Sequence, residues 1–160
     1  MHMINTVSYW IATWFKVGLW PKMPGTWGSL MAIPAAAVLY FSFGLQGLVI
    51  ATFIAFTLGI ISSYFVLYST LDSDPSFIVI DEVAGQWLVL WAAGNDIRFW
   101  IIGFVLFRAF DILKPSPIKQ IELYFADGSR LSKAMGIMVD DIAAAGYAIV
   151  CIWILKLMFA

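Results

Sequence analysis

The chain has 160 residues, of which 62% are hydrophobic and 12% are charged, and its formal net charge is −1. This composition lies outside the range of soluble domains and the length supports one bundle, so we predict a single membrane-embedded domain over residues 1–160. A near-neutral chain without a basic tract argues against nucleic acid as a partner, and the single cysteine, Cys151, excludes a disulfide framework.

The N-terminal part of the chain precedes the long apolar runs. Residues 4–20 mix apolar and polar side chains, which predicts an amphipathic helix at the membrane interface. Prolines and glycines then break the backbone. Thr26 or Ser29 is expected to cap a helix over about 30–43, with a kink at Pro34.

Five apolar segments are candidates for membrane helices: 30–43, 48–68, 83–93, 97–110 and about 135–158. Segment 48–68 matches the hydrocarbon core of about 30 Å, whereas 83–93 and 97–110 span only about 17 and 21 Å at 1.5 Å per residue. Extension over 78–82 and 111–113 would make these two long enough and would place acidic residues on helix ends. We therefore predict an all-α membrane bundle of about five membrane helices, some of them short or re-entrant, after the N-terminal amphipathic helix.

The basic residues indicate the orientation of the bundle. Alternate crossing, with a turn at 44–47, puts these residues on one side of the membrane: Lys16, Lys22, Lys114, Lys119, Arg130 and Lys133. The positive-inside rule makes that side cytoplasmic. The last three are interpreted as a patch for lipid headgroups. The motif regions around 21–29, 72–82, 108–115 and 140–141 fall on the same side.

Two adjacent carboxylates, Asp81 and Glu82, lie inside an apolar run. A carboxylate in an apolar setting is costly unless a cation accompanies it. Because adjacent side chains on a helix point about 100° apart, these two are not expected to hold one ion as a simple pair, and ligands from elsewhere are needed. The acidic candidates near the same side are Asp111, Asp140, Asp141 and Asp74. Such hard oxygen ligands favour Mg²⁺ or Mn²⁺.

Cationic residues accompany these acids. Arg108, Asp111 and Lys114 recur every three residues on one predicted helix, which puts an anion-binding fork, a metal ligand and a positive charge near one face until Pro115 ends the helix. Carboxylates that hold Mg²⁺ beside Arg and Lys suggest a phosphate ligand. The turn at 24–29, at a helix start, offers backbone N–H groups and hydroxyls to the same anion.

Each of these features also has a purely structural interpretation. Arg108 and Asp111 fit an ion pair inside a bundle, and residues 140–141 fit acidic residues that favour a helix N-terminus. Residues 24–29 fit a turn and cap, and the acidic residues of 72–74 fit a solvated loop.

Four blocks, in this order and spacing, resemble a known family. They are Gly18-Leu19-x-Pro21-x2-Pro24-Gly25-Thr26-x-Gly28-Ser29-Leu30, Val79-x-Asp81-Glu82-x2-Gly85, Phe107-Arg108-x2-Asp111-x2-Lys114-Pro115-x-Pro117-Ile118 and Gly136-Ile137-Met138-x-Asp140-Asp141-x3-Ala145-Gly146. Together they resemble the phosphatidylglycerophosphatase A family over most of the chain. The resemblance implies Mg²⁺-dependent removal of the terminal phosphate from phosphatidylglycerophosphate, which gives phosphatidylglycerol in phospholipid biosynthesis at the bacterial inner (cytoplasmic) membrane.

Residue roles follow as hypotheses. The metal ligands for one or two Mg²⁺ would be Asp81, Glu82, Asp111, Asp140 and Asp141, with Asp74 as a further candidate. The substrate-binding residues would be Lys22, Gly25, Thr26, Gly28, Ser29, Arg108 and Lys114. The last two would neutralise the phosphate in the transition state. Either a water activated by the metal attacks phosphorus in line, or an aspartate forms a phosphorylated intermediate.

Two rival functions differ in what they need. A divalent-cation transporter needs carboxylates near mid-membrane and on both sides. A CDP-alcohol-type headgroup transferase is suggested by Asp127-Gly128 followed by Gly136 and Asp140, but Ala144 stands where the last aspartate of that motif belongs. The predicted partners are the phospholipid substrate and membrane lipids, and the sequence leaves the oligomeric state open.

Overall fold

The computed structural model describes residues 2–70, 72 and 74–159, with side chains from residue 6 onwards. All regular structure in these ranges is helical, so the predicted all-α fold is confirmed. The helices are α1 (His2–Ala12), a 3-10 turn (Val17–Leu19), α2 (Pro24–Ser69), α3 (Ile80–Ala93), α4 (Ile97–Leu113), α5 (Ile118–Ala126) and α6 (Arg130–Phe159).

The first half of α2 runs alongside α3 in the same direction. At the start of both helices, a Cβ on Gly28 would lie 2.8 Å from Val79. Further along both, the indole Nε1 of Trp87 donates a hydrogen bond of 2.8 Å to the carbonyl of Ala32. Small residues therefore let the two backbones approach closely, as in membrane helix pairs.

The second half of α2 runs in the opposite direction to α3. A Cβ on Gly59 would lie 3.3 Å from Ile80, at the start of α3, and Trp91 near its end donates to the hydroxyl of Thr52 at 3.2 Å. The two halves of α2 are thus antiparallel, and the chain reverses at Gly44, where φ is 69° and ψ is −170°. Glycine adopts this conformation without the steric cost of a Cβ. A reversal was predicted over residues 44–47, and it occurs at the first of these, Gly44, whereas residues 45–47 are helical.

Helices α4 and α6 complete the bundle around α3. A Cβ on Gly85 would lie 2.6 Å from Phe107 and a Cβ on Gly103 would lie 2.7 Å from Val89, so α4 is antiparallel to α3. The other end of α3 meets the end of α6, where the ammonium of Lys156 donates to the last carbonyls of α3. Five helical segments therefore alternate in direction: the first half of α2, its second half, α3, α4 and α6.

The contact of Lys156 with α3 gives a stability prediction. Its Nζ lies 2.6 Å from the carbonyl oxygen of Ala92 and 2.9 Å from that of Ala93. A cation at a helix C-terminus satisfies carbonyls that have no partner within the helix. We expect Lys156→Met to lower the free energy of unfolding by about 1.5–3 kcal/mol, measured by thermal unfolding in detergent. Unchanged stability would show that other groups satisfy these carbonyls.

The membrane-spanning capacity of the helices is uneven. Two of them, α2 and α6, are long and apolar enough to cross a membrane. Helices α3 and α4 have 14 and 17 residues, or about 21 and 26 Å at 1.5 Å per residue. Both extend over the acidic residues at their ends, but α3 begins at Ile80 rather than at residue 78, and both helices stay shorter than the hydrocarbon core of about 30 Å. The count of about five membrane crossings stays a prediction.

Helix α1 is shorter than predicted: it ends at Ala12, not at residue 20. The hydroxyl of Thr13 donates to the carbonyl of Tyr9 at 2.7 Å and accepts from the backbone N–H of Lys16 at 3.1 Å. Such bonds between side chain and backbone compete with the helix. Residues 14–16 accordingly adopt positive φ.

Helix α2 begins earlier than predicted, with Pro24 at its first position. Proline is favoured there because the N–H that it lacks would have no helical partner. The prediction that Thr26 or Ser29 caps the helix is therefore wrong, since both lie inside it. Pro34, where a kink was predicted, lies within the helix. The residue of α2 with non-helical φ and ψ is Gly44 instead.

Helix α6 begins at Arg130 rather than near residue 135. Asp140 and Asp141 therefore lie well inside the helix and not at its end. Their interpretation as charges that favour a helix N-terminus is wrong, because that effect falls off within the first turn. Both are buried, which leaves their placement to be explained by the groups around them.

Candidate active site

The predicted site residues gather at one end of the bundle, where α2 and α3 begin and α4 ends. A cavity of about 400 Å³ lies there. Its polar lining includes Thr26, Asp74, Ser76, Asp81, Glu82, Arg108, Asp111, Lys114, Asp140 and Asp141. Four stretches that are far apart in the sequence thus contribute to one cavity.

Three carboxylates form the centre of the cavity. Asp81 and Glu82 come from the first turn of α3 and Asp141 from α6, and one ligand oxygen from each lies within 4.8 Å of the other two. One oxygen of Asp81 and one of Glu82 approach each other although the residues are adjacent, and Asp141 of α6 completes the group. The expectation of a ligand from elsewhere is met by Asp141.

The carboxylate oxygens at this centre lack partners. Oδ1 of Asp81, Oε2 of Glu82 and Oδ2 of Asp141 are buried without a hydrogen bond to any residue that the structure describes. Leaving buried carboxylate oxygens unpaired costs several kcal/mol, so the centre is suited to a cation. Oxygen ligands of this kind fit Mg²⁺ or Mn²⁺.

Arg108 lies between this centre and Asp111. Its Nη1 is 2.8 Å from Oδ2 of Asp111 and 3.7 Å from Oε1 of Glu82, and it donates to the hydroxyl of Ser29 at 3.4 Å. The predicted ion pair of Arg108 and Asp111 is therefore present. The Nε of Arg108 is buried and has no partner among the described residues, which leaves one of its N–H groups without a protein acceptor.

Lys114 ends α4 and turns its ammonium toward α6. It is the C-cap residue with φ 42°, and Pro115 prevents the helix from continuing. Its Nζ lies 2.8 Å from Oδ2 of Asp140 and 3.1 Å from Oε1 of Glu122. Burial disfavours the charged form, but the hydrogen bonds and charges of Asp140 and Glu122 outweigh it and raise the pKa of Lys114 above its ordinary value. The ammonium therefore stays charged.

The charge balance of the cavity favours an added cation. Six carboxylates (Asp74, Asp81, Glu82, Asp111, Asp140 and Asp141) line the cavity with two cationic side chains, Arg108 and Lys114. Full ionisation would leave four negative charges uncompensated in a mostly buried site. A divalent metal ion removes half of that excess, and a phosphate can bind once the metal is present.

Some predicted substrate-binding residues do not line the cavity. Lys22 is exposed outside it, and Gly28 packs on Val79. Ser29 is fully buried and donates to the carbonyl of Gly25 at 3.0 Å while accepting from Arg108, so it orients the guanidinium.

Gly25 lines the cavity with Thr26. A Cβ on Gly25 would overlap Oε1 of Glu82 and lie 3.0 Å from Nη2 of Arg108. Glycine is therefore required at this position by the close approach of α2 to the site. The second hydroxyl of the predicted anion site, Oγ1 of Thr26, is buried and has no partner among the described residues.

Sequence reasoning did not identify Glu122, Ser76 and Gln86. Glu122 reaches Lys114 only because the chain turns between α4 and α5, and no local pattern signals this. Ser76 lines the cavity from an irregular segment. Gln86 is fully buried one turn after Glu82, and its amide has no partner among the described residues. A glutamine within an apolar helix was a signal that could have been read.

Glu122 gives a prediction for the site. Its ion pair with Lys114 is partly exposed, so it is worth at most about 1 kcal/mol, or about fivefold in rate. For the phosphate release that the resemblance implies, we expect Glu122→Gln to lower kcat/KM by up to about fivefold, measured in detergent micelles. Asp127→Asn, an exposed acid just after α5, is the control and should have no effect. Equal effects of the two substitutions would contradict a specific role for Glu122.

Comparisons with known proteins agree with the resemblance. The family model described as Phosphatidylglycerophosphatase A matches residues 10–156. A Haemophilus influenzae protein named Phosphatidylglycerophosphatase A is 37% identical over 150 residues, which cover 91% of this chain and 86% of that protein. An Escherichia coli protein of the same name is 37% identical over 140 residues, covering 84% and 74%.

A relative with a different name covers the chain equally well. This Bacteroides thetaiotaomicron protein, named "Putative phosphatidylinositol-3-phosphatase", is 35% identical over 148 residues, which cover 89% of each chain. No solved structure matches the chain. The family match spans all four sequence blocks and the whole cavity, and the chain belongs to the phosphatidylglycerophosphatase A family.

Proposed function

We propose that this protein is a Mg²⁺-dependent phosphatidylglycerophosphatase of the bacterial inner membrane, with its active site facing the cytoplasm. It hydrolyses phosphatidylglycerophosphate to phosphatidylglycerol and inorganic phosphate. The observation that carries the proposal is the buried centre of Asp81, Glu82 and Asp141 with Arg108 beside it. The names of the relatives from Haemophilus influenzae and Escherichia coli support the same substrate.

Asp81, Glu82 and Asp141 would hold the metal, because their unpartnered oxygens converge. Asp111 and Asp140 line the same cavity but are paired with Arg108 and Lys114, so they are candidates for a second ion or for orienting the cations. Bound Mg²⁺ would supply positive charge that stabilises the phosphoryl oxygens and lowers the pKa of a nearby water.

The cationic side chains would bind and orient the phosphate. Arg108 keeps its Nη1 on Asp111, and its Nε–H, which no described residue accepts, would be the donor to a phosphate oxygen. Lys114, whose ammonium is held by Asp140, adds a second fixed positive charge to the cavity. Water adds to phosphorus, the bond to the glycerol oxygen breaks, and a proton from the water ends on that oxygen.

The positions of the acids argue against a transporter. A translocation path needs carboxylates along the bundle, whereas the acids of the cavity lie at one end. At the opposite end of the described bundle, Asp96 is half-buried and is paired with the exposed Arg98 at 2.8 Å. The basic residues Arg108 and Lys114 beside the acids would also oppose the passage of a cation.

Phosphate release by the purified full-length chain in detergent tests the proposal. We expect release from phosphatidylglycerophosphate with Mg²⁺, loss of release with a chelator and recovery when Mg²⁺ is restored. Phosphatidylinositol 3-phosphate should be included as a second substrate because one relative bears that name. Cation flux through proteoliposomes without hydrolysis would establish the transporter instead.

A further inference from the structure

The cavity has two chemically different edges. One edge carries polar residues, among them Asp74, Ser76 and Lys114. The other carries Met23 and Ile112, which line the cavity although their side chains are 62% and 60% exposed at the surface of the bundle. Apolar residues that are at once exposed and part of a charged cavity mark a place where the cavity opens to an apolar surrounding.

Ile112 stands directly beside the phosphate-binding residues. Arg108, Asp111 and Ile112 are spaced i, i+3 and i+4 on α4 and therefore share one face of that helix. Asp111 is paired with Arg108 inside the cavity, while the next residue, Ile112, reaches the surface. One helical turn therefore separates the guanidinium from the exterior of the bundle.

Met23 is close in sequence to Gly25, the residue of α2 that lies against the same guanidinium. It precedes α2 with φ 54° and lies two residues before Gly25, whose missing Cβ leaves room for Glu82 and Arg108. Met23 and Ile112 thus stand on two helices that meet at Arg108. An exposed residue adjoins each of them in the sequence. Leu113, which follows Ile112, is 75% exposed, and Lys22, which precedes Met23, is also exposed.

We infer that the gap between Met23 and Ile112 is a lateral opening through which the acyl-chain end of a phospholipid passes from the cavity into the membrane leaflet. This inference rests on the proposed function and specifies how the substrate lies. The terminal phosphate occupies the charged centre, the glycerol spans the edge, and the acyl chains stay in the lipid. The substrate therefore does not have to leave the bilayer in order to react.

The surroundings of the gap suit an anionic lipid. Lys22, which precedes Met23 in the sequence, is exposed and can offer its ammonium to an anionic headgroup. Trp20 and Trp27 stack edge to face with ring centroids 5.4 Å apart, and both are exposed near the start of α2. Indoles of this kind favour the boundary between headgroups and acyl chains.

Narrowing the gap tests the inference by kinetics. We expect Met23→Trp combined with Ile112→Trp to lower kcat/KM for long-chain phosphatidylglycerophosphate in mixed micelles at least tenfold. The concentration of inorganic phosphate that half-inhibits the enzyme should stay within twofold, because the charged centre is untouched. The matched control is Ile101→Trp, which is exposed on the same helix far from the cavity. It should change neither quantity.

Widening the gap separates an opening from a structural role. Met23→Ala combined with Ile112→Ala should keep at least half of the wild-type kcat/KM. A loss as large as that of the tryptophan pair would overturn the inference, since the two residues would then be needed for packing. An unchanged kcat/KM in the tryptophan pair would overturn it as well.

Fluorescence quenching tests the lateral opening without any turnover of substrate. In a Cys151→Ser background, bimane labels on Met23→Cys and on Ile112→Cys should be quenched by phosphatidylglycerol with brominated acyl chains, and a label on Ser76→Cys at the polar edge should not. Absence of quenching at residues 23 and 112 would contradict the inference. If the wild type hydrolysed no phosphatidylglycerophosphate, the proposed function would fail, whereas the quenching pattern would still report where lipid meets the cavity.

Discussion

Replacing Asp81 with asparagine is expected to lower the rate of phosphate release by more than about 100-fold, since even the outer partners of metal ligands are worth 10 to 100-fold. Asp81 supplies one of the three converging oxygens, and its Oδ1 has no protein partner among the described residues. The amide keeps the size of the side chain but loses the negative charge that attracts the cation. Phosphate release from micellar substrate measures the effect.

The same variant distinguishes a metal ligand from a structural residue. A ligand that binds only the folded protein adds about 2.7 kcal/mol to the free energy of unfolding when its concentration is 100 times its Kd. Mg²⁺ should therefore raise the unfolding temperature of the wild type. Asp81→Asn should lose this increase without being less stable in the absence of Mg²⁺, because it relieves repulsion among buried carboxylates. Asp96→Asn, which alters a half-buried acid at the opposite end of the bundle, should retain both activity and the Mg²⁺ effect.

Replacing Arg108 with lysine is expected to lower kcat by about 100 to 1,000-fold. Lysine keeps the charge, but its N–H groups all radiate from one nitrogen, so it cannot reproduce the planar guanidinium, which pairs with Asp111 and Ser29 through Nη1 and leaves Nε–H without a protein partner. The rise in unfolding temperature with Mg²⁺ should persist because the three metal-binding carboxylates remain. Steady-state kinetics on the micellar substrate measures the loss.

The matched control for Arg108 lies at the other end of the same helix. Arg98 also pairs with an aspartate at 2.8 Å, but its side chain is 81% exposed. Arg98→Lys should leave kcat within twofold of the wild type. Equal losses in the two variants would show that lysine disturbs α4 in general, and wild-type kcat in Arg108→Lys would remove the guanidinium from the mechanism.

The course of the bundle could be predicted from the sequence because apolar segments of membrane length are set by the bilayer. The ends of the helices could not. Thr13 ends α1 early through bonds to its own backbone, and Pro24 starts α2 where a serine or threonine cap was expected. Both outcomes depend on which local hydrogen bonds prevail, and hydrophobic periodicity carries no information on that.

The acidic centre could be anticipated for a different reason. Carboxylates such as Asp81 and Asp141 in apolar helices require compensation wherever they lie, so their presence signals a site. The partners of the cations could not be anticipated. Ser29 reaches Arg108 from another helix, and Glu122 reaches Lys114 across a turn, and these contacts exist only in the assembled bundle.

Binding of Mn²⁺ tests the central claim most directly, because the loss of the free-ion signal in electron paramagnetic resonance counts bound ions without any substrate. We predict that the purified wild type binds one or two Mn²⁺ that Mg²⁺ displaces, and that Asp81→Asn and Asp141→Asn each weaken binding at least tenfold. Absence of binding by the wild type, or equal affinity in all three proteins, would contradict the assignment of these carboxylates to a metal centre.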